Sequence, residues 1–176
     1  MPTSKPLAVE LIDPFLDRYP VDVRGMADAL DLRIDEEYLP PDISGKIART
    51  WRGSYAITVN AGHSENRKRF TIAHEIAHYI LHRDLIGDGI VDNALYRDNR
   101  IGDARERQAN RYSASLLMPA AAVRRAWDAG ATTARALADK FEVSEAVAEI
   151  RMRELGCVLW PRPANGQADL LDDVFN

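Results

Sequence analysis

Residues 69–82 read RFTIAHEIAHYILH, an apolar-periodic run with no proline or glycine. The spacing predicts one helix from about Ser64 to His82. Phe70, Ala73, Ile76, Ala77 and Ile80 form its buried stripe, with Thr71, His74, His78 and His82 along an adjoining face. Ser64 is placed to cap this helix, although position 67, where a capping box wants Glu or Gln, holds arginine. His74 and His78 stand one turn apart, so both imidazoles can point at a single cation. Glu75 lies about 100° round the axis, close enough to activate a water held at that cation. The pattern H-E-x-x-H thus demands a helix here before its three side chains can work together.

Two histidines do not complete a catalytic zinc site, which takes three protein ligands and keeps one position open. His82 continues the i+4 series but sits about 12 Å along the axis from His74. That is too far to share an ion whose nitrogen ligands lie at about 2.0 Å. An outer-shell or structural role suits it better. No G-x-x-H follows His78, so a third histidine at metzincin spacing is absent. The remaining source is a carboxylate on another helix, and the segment from about Asp103 to Leu117 offers Asp103 and Glu106. Glu106 precedes Asn110 by one helical turn, so the two can face one way. A carboxylate ligand beside an amide that hydrogen-bonds a coordinating histidine would supply a ligand and its support together. Two surface polar residues on an amphipathic helix would have the same spacing.

At 176 residues the chain has room for one domain, or a core with a small appendage. The N-terminus lacks a basic stretch followed by an apolar one, and no apolar run approaches the roughly 18 residues of a membrane span. We expect a cytoplasmic protein with no membrane partner. The lone Cys157 allows neither an intramolecular disulfide nor a multi-cysteine metal cluster. A net charge of −4 argues against broad affinity for nucleic acid.

Elsewhere the patterning predicts helices over 7–18, ended or kinked at Pro14, and over 21–30. LRI at 32–34 is β-prone, and ISGKIART (43–50) and SYAITVNA (54–61) read as two strands. Ile57 and Val59 alternate with Thr58 and Asn60, giving the second strand one apolar face and a capacity to pair with an extended substrate. Residues 83–102, with three glycines and many aspartates, predict an irregular segment or a short hairpin. Helices follow at 103–117, 121–127, 134–141 and 144–155, with Gly156 ending the last. VLW (158–160) is a candidate closing strand. The fold class is α+β: a small, mostly antiparallel sheet of about three strands packed on the metal helix, then a helical C-terminal part. We divide the chain into a core over 1–119, a helix-turn-helix-like segment over 120–160 packed on it, and a flexible tail over 161–176.

RFTIAHEIAHYILH (69–82) followed by ERQANRYSASLLMP (106–119) resembles the ImmA/IrrE family of zinc metallopeptidases. Members show an RFTxAHExGHxxLH-like helix and then ExxANxFAxxLLMP. Ala77 stands here where glycine is common, and Tyr112-Ser113 where Phe-Ala is usual. ISG (43–45), ITVNAGHSENRKRF (57–70) and LADKFEVSEAVAEIRMRELG (137–156) extend the similarity over roughly 20–156. The resemblance implies Glu106 as third ligand, with His74 and His78, and Asn110 behind the metal. Glu75 becomes the general base and acid of peptide hydrolysis. It implies Zn2+, although two imidazoles and a carboxylate also accept Mn2+ or Fe2+. His82, Tyr79, Tyr112 and His63 are candidates for contacts to substrate or transition state. The implied substrate is a helix-turn-helix repressor or antitoxin encoded nearby, cut to relieve repression in stress responses or mobile-element control.

Two other classes compete with that reading. One is a non-cleaving toxin or regulatory binding partner. The other is a DNA-binding regulator with a structural metal, suggested by the helix pair around Glu142-Val143-Ser144. From Ala120 to Gly156 six basic residues are cancelled by six acidic ones, and the second helix opens on Ser144-Glu145. Carboxylates would then face phosphates and base edges, so direct DNA binding is disfavoured.

Overall fold

A computed structural model describes residues 5–86, 90–93 and 100–157. Helix α1 (Lys5–Ile12) stops just before Pro14, and a 3-10 turn over Asp13–Phe15 follows. Asp22 caps α2 (Val23–Ala29), its side chain accepting from the Gly25 amide at 2.9 Å. Strands β1 (Leu32–Glu37), β2 (Ile43–Arg49) and β3 (Tyr55–Asn60) come next, then the long helix α3 (Glu65–Leu81). The segment expected to be irregular holds a 3-10 turn at Arg83–Leu85 and a short strand, β4 (Ile90–Asn93). Helices α4 (Arg100–Leu117), α5 (Ala120–Asp128), α6 (Ala134–Phe141) and α7 (Glu145–Glu154) complete the order. Residues 158–160 and the tail from Pro161 lie outside the described residues. No helix among the described residues is long and apolar enough to cross a membrane.

The sheet has the order β1-β3-β2-β4. β1 runs parallel to β3, whereas β2 is antiparallel to both β3 and β4. The result is a mixed sheet in which two of the three pairings are antiparallel. β3 is interior. Both its hydrogen-bonding edges are taken, so it cannot add an extended substrate as the sequence suggested, and among the described residues the sheet edges belong to β1 and β4. Nor does β3 have a polar, solvated face: Thr58 and Asn60 are buried along with Ile57 and Val59. Asn60 satisfies its burial by donating to the Leu39, Pro40 and Ile43 carbonyls at 3.1, 3.1 and 2.9 Å.

α3 is buried from Thr71 to Ile80 without interruption, more than the single apolar stripe predicted. It lies against β2 and β3 on one side and α4 on another, so its polar residues are enclosed as well. Ser64 caps it by accepting from the Arg67 amide at 3.4 Å, and Glu65 in the first turn complements the helix dipole. Gly45 on β2 allows the sheet to come this close. A Cβ there would stand 2.5 Å from Thr71 Cγ2 and 2.6 Å from the Thr58 carbonyl oxygen.

The C-terminal helices share the same hydrophobic core. Leu137, Phe141 and Val147 belong to one buried cluster with Ile12, Met26 and Leu30. Phe141 is fully buried and stacks on Tyr19 with ring centroids 4.7 Å apart. Thr133 caps α6 and Ser144 caps α7, accepting from amides at 3.1 and 3.2 Å. Between them the chain turns through Glu142 in the left-handed region (φ 53°). Gly156 (φ 66°) ends α7 as the sequence predicts, since a left-handed residue after a helix favours glycine.

Candidate metal centre

One turn of α3 and the middle of α4 converge on a single point. His74 and His78 are 2 % and 1 % exposed, and their Nε2 atoms lie 2.9 Å apart. Glu106 reaches them from α4, with Oε2 at 3.2 Å from His74 Nε2 and Oε1 at 3.3 Å from His78 Nε2. Small side chains allow that reach. Ala77 lies three residues past His74 and Ala109 three past Glu106, each on the side of its helix that carries a ligand atom, and both are fully buried. The Ala77 that departs from the family's glycine is therefore accommodated in the packed interior. Glu106 is about one-third exposed (34 %), which makes its side the one that solvent can approach.

The protonation directions suit a cation. Burial pushes His78 below its ordinary value, and this outweighs the opposing pull of Glu106. Burial alone would raise Glu106, but the two imidazoles beside it prevail and hold its carboxyl far below the usual range. A neutral imidazole and an ionised carboxylate are the forms that bind a metal. A tetrahedral ion with bonds of about 2.0–2.1 Å separates its ligand atoms by roughly 3.3 Å. The separations of 3.2 and 3.3 Å between Glu106 and the two imidazoles fit that requirement, and the 2.9 Å between the imidazoles is slightly shorter than it. His74, His78 and Glu106 form a group that could hold a metal ion, with donors suited to zinc, manganese or iron. The side chain of Asp103, the other carboxylate suggested by spacing, lies outside the described ones.

The other sequence candidates distribute unevenly. Glu75 is fully buried next to His74 on α3. Asn110 is buried on α4, one turn past Glu106. His82 closes α3 and bonds His78, with Nδ1 to Nδ1 at 3.1 Å, while its Nε2 meets the Gln108 amide oxygen at 3.1 Å. It stands behind a ligand, as its distance along the axis predicted. Tyr79 packs edge-on against Tyr55, with centroids 5.2 Å apart, beneath the Arg83 guanidinium. His63 belongs to the turn entering α3, 3.3 Å from the Pro41 carbonyl and 3.5 Å from Asn60 Nδ2. Both positions are structural joints. Tyr112 is half-buried on α4, and burial pushes its phenol up. Sequence reasoning missed Gln108. The signal was faint: a polar residue two positions past Glu106, in contact with a histidine 26 residues earlier.

Comparison with solved structures finds a likeness to a chain described as a Mycobacterium tuberculosis transcriptional regulator, at 20% identity and a TM-score of 0.49. The match covers 92% of this chain and 44% of that one, so this chain spans less than half the length of that protein. No curated protein matches the sequence. A family model described as Peptidase_M78, IrrE N-terminal-like domain, matches residues 29–153, a span that includes β1 to β3, both histidines, Glu106 and most of α7. The chain belongs to that family.

Proposed function

We propose that this protein is a metal-dependent endopeptidase, with zinc as its resident ion. We further propose that its substrate is a partner protein, a helix-turn-helix repressor or antitoxin encoded nearby. The convergence of His74, His78 and Glu106 within bonding geometry of one ion, with Glu75 buried beside them, carries this reading. When bound, the ion supplies Lewis acidity toward the attacking water and the scissile carbonyl. The chain does the rest. His74 and His78 offer Nε2 lone pairs from a helix too enclosed to fray, and Glu106 adds the charge that offsets the cation. Glu75 accepts the water's proton on a carboxylate oxygen and returns it to the leaving amine, base first and then acid. Asn110 steadies the ligands from α4. With Tyr79 and His63 engaged in packing and His82 in contact with His78, Tyr112 is the side chain left to meet the substrate. Burial keeps its phenol protonated and able to donate.

A protein partner is favoured over DNA by what Arg125 and Arg151, two of the six C-terminal basic residues, already do. Arg151 donates to the Met118 carbonyl at 2.9 Å and pairs with Glu154 at 2.9 Å. Arg125 donates to the Asp17 carbonyl at 2.8 Å. Both hold α5 and α7 in place within the fold. The test is incubation of the zinc-loaded protein with the product of the neighbouring regulator gene, read by intact mass. Two fragments that vanish with chelator are expected. An intact, stable complex would identify a non-cleaving binding partner instead, and a shifted operator duplex without cleavage would identify a regulator.

A further inference from the structure

We propose that Gln108 and His82 are positioning residues that set the tautomer of His78, so that its Nε2 presents a lone pair to the cation. The inference rests on the reading of His78 as a ligand, and its direction follows from donor chemistry. An amide oxygen only accepts, so at 3.1 Å from Gln108 Oε1 the His82 Nε2 carries the hydrogen. With that hydrogen on Nε2, His82 offers the lone pair of Nδ1. At 3.1 Å from that atom, His78 Nδ1 is the donor. With its proton on Nδ1, His78 leaves Nε2 bare, and this is the atom 2.9 Å from His74 Nε2 and 3.3 Å from Glu106 Oε1. The polarity matters. A donor in place of the Gln108 oxygen would reverse both bonds and put a hydrogen on His78 Nε2, where the cation must sit. His82 is buried at 8 % exposure, which shields the bond to His78 from competing water, whereas Gln108 is exposed at the outer end of the chain.

Partners behind metal-bound histidines are worth about 10- to 100-fold in affinity. An exposed Gln108 places this chain near the lower end, roughly tenfold. The experiment compares wild type, Gln108→Leu and Gln108→Glu in two ways. Zinc affinity is measured by competition with a chromophoric chelator, and the imidazole tautomers of the metal-free protein are read by nitrogen-15 NMR. Wild type and Gln108→Glu, whose carboxylate can only accept, should agree within about twofold in affinity and show His78 protonated on Nδ1. Gln108→Leu should bind zinc about tenfold more weakly and show a mixture of tautomers, with an unchanged thermal midpoint without metal. Unaltered zinc affinity in Gln108→Leu, or a hydrogen on His78 Nε2 in metal-free wild type, overturns the proposal. A wild type that binds no zinc while showing the Nδ1 tautomer sinks the metallopeptidase reading and leaves the relay standing.

Discussion

Replacing Glu75 with glutamine keeps its size and burial and removes only its capacity to take a proton. The variant should therefore retain its metal while turnover falls by roughly 10²- to 10⁴-fold, the usual worth of a positioned general base. Paired measurements of kcat and metal content check this, and full activity in a metal-replete assay would refute the role. Acid should act on the same cluster in the metal-free protein. His78 is held below its ordinary value of 6.5, so below that pH the unfolded chain takes up a proton that the folded chain resists. Stability then falls as pH falls. Glu106, depressed from 4.5, adds a second loss in the more acidic range. Urea midpoints should decline from pH 7 to pH 4, and His78→Gln should flatten the upper part of that slope. A wild-type profile flat across the range contradicts the assignment. At this scale the sequence was most legible where ligands share one helix: i and i+4 fixed His74 and His78. Spacing left Asp103 and Glu106 open, and family resemblance pointed to Glu106. The contact of Gln108 with His82 has no periodic signature, because it depends on how two helices cross.

Among the elements, α3 was readable because its apolar positions recur at helical spacing and Ser64 supplies a cap. Its burial on every side was not. Periodicity reports the face that must be apolar, whereas the histidines on α3 are enclosed because α4 comes against them and Thr71 because β2 does. The interior place of β3 was hidden for a similar reason. Alternation of Ile57 and Val59 with Thr58 and Asn60 suggests a solvated face, but the Asn60 amide is absorbed by two loop carbonyls and that of Ile43 at the start of β2. The contact between β2 and α3 gives a sharp test. Gly45→Ala sets a methyl group against the Thr71 side chain, whose hydroxyl is tied to the Arg67 carbonyl, and against the backbone of β3, which cannot swing away. A loss of about 1–3 kcal/mol in denaturant unfolding is expected. Because Thr71 lies one turn before His74 and Glu75, weaker metal retention should accompany it. A variant as stable as wild type would show that sheet and helix are less closely apposed than described.

Among the described residues α3 is enclosed by the sheet on one side and α4 on another, and the candidate metal site lies where α3 meets α4. Phe141 ties the C-terminal helices into this arrangement through its buried stack on Tyr19. Phe141→Ala should cost about 3–5 kcal/mol and lower a single unfolding transition, because the cavity opens in a core common to both parts. Loss of α6 and α7 alone, with an intact transition for the remainder, would show instead that they form a separate unit. Sequence patterning supplied most helices and their order, since short amphipathic segments declare themselves locally. It could not supply the strand order, which depends on partners far apart in the chain.

Whether three side chains from two helices hold one ion is tested by the metal content of the purified protein, by elemental mass spectrometry, for wild type, Glu75→Gln and Glu106→Ala. One ion per chain is expected in wild type and in Glu75→Gln, with a loss of most metal in Glu106→Ala. Full occupancy in Glu106→Ala, or none in wild type after loading with Zn2+, Mn2+ or Fe2+, would contradict the account.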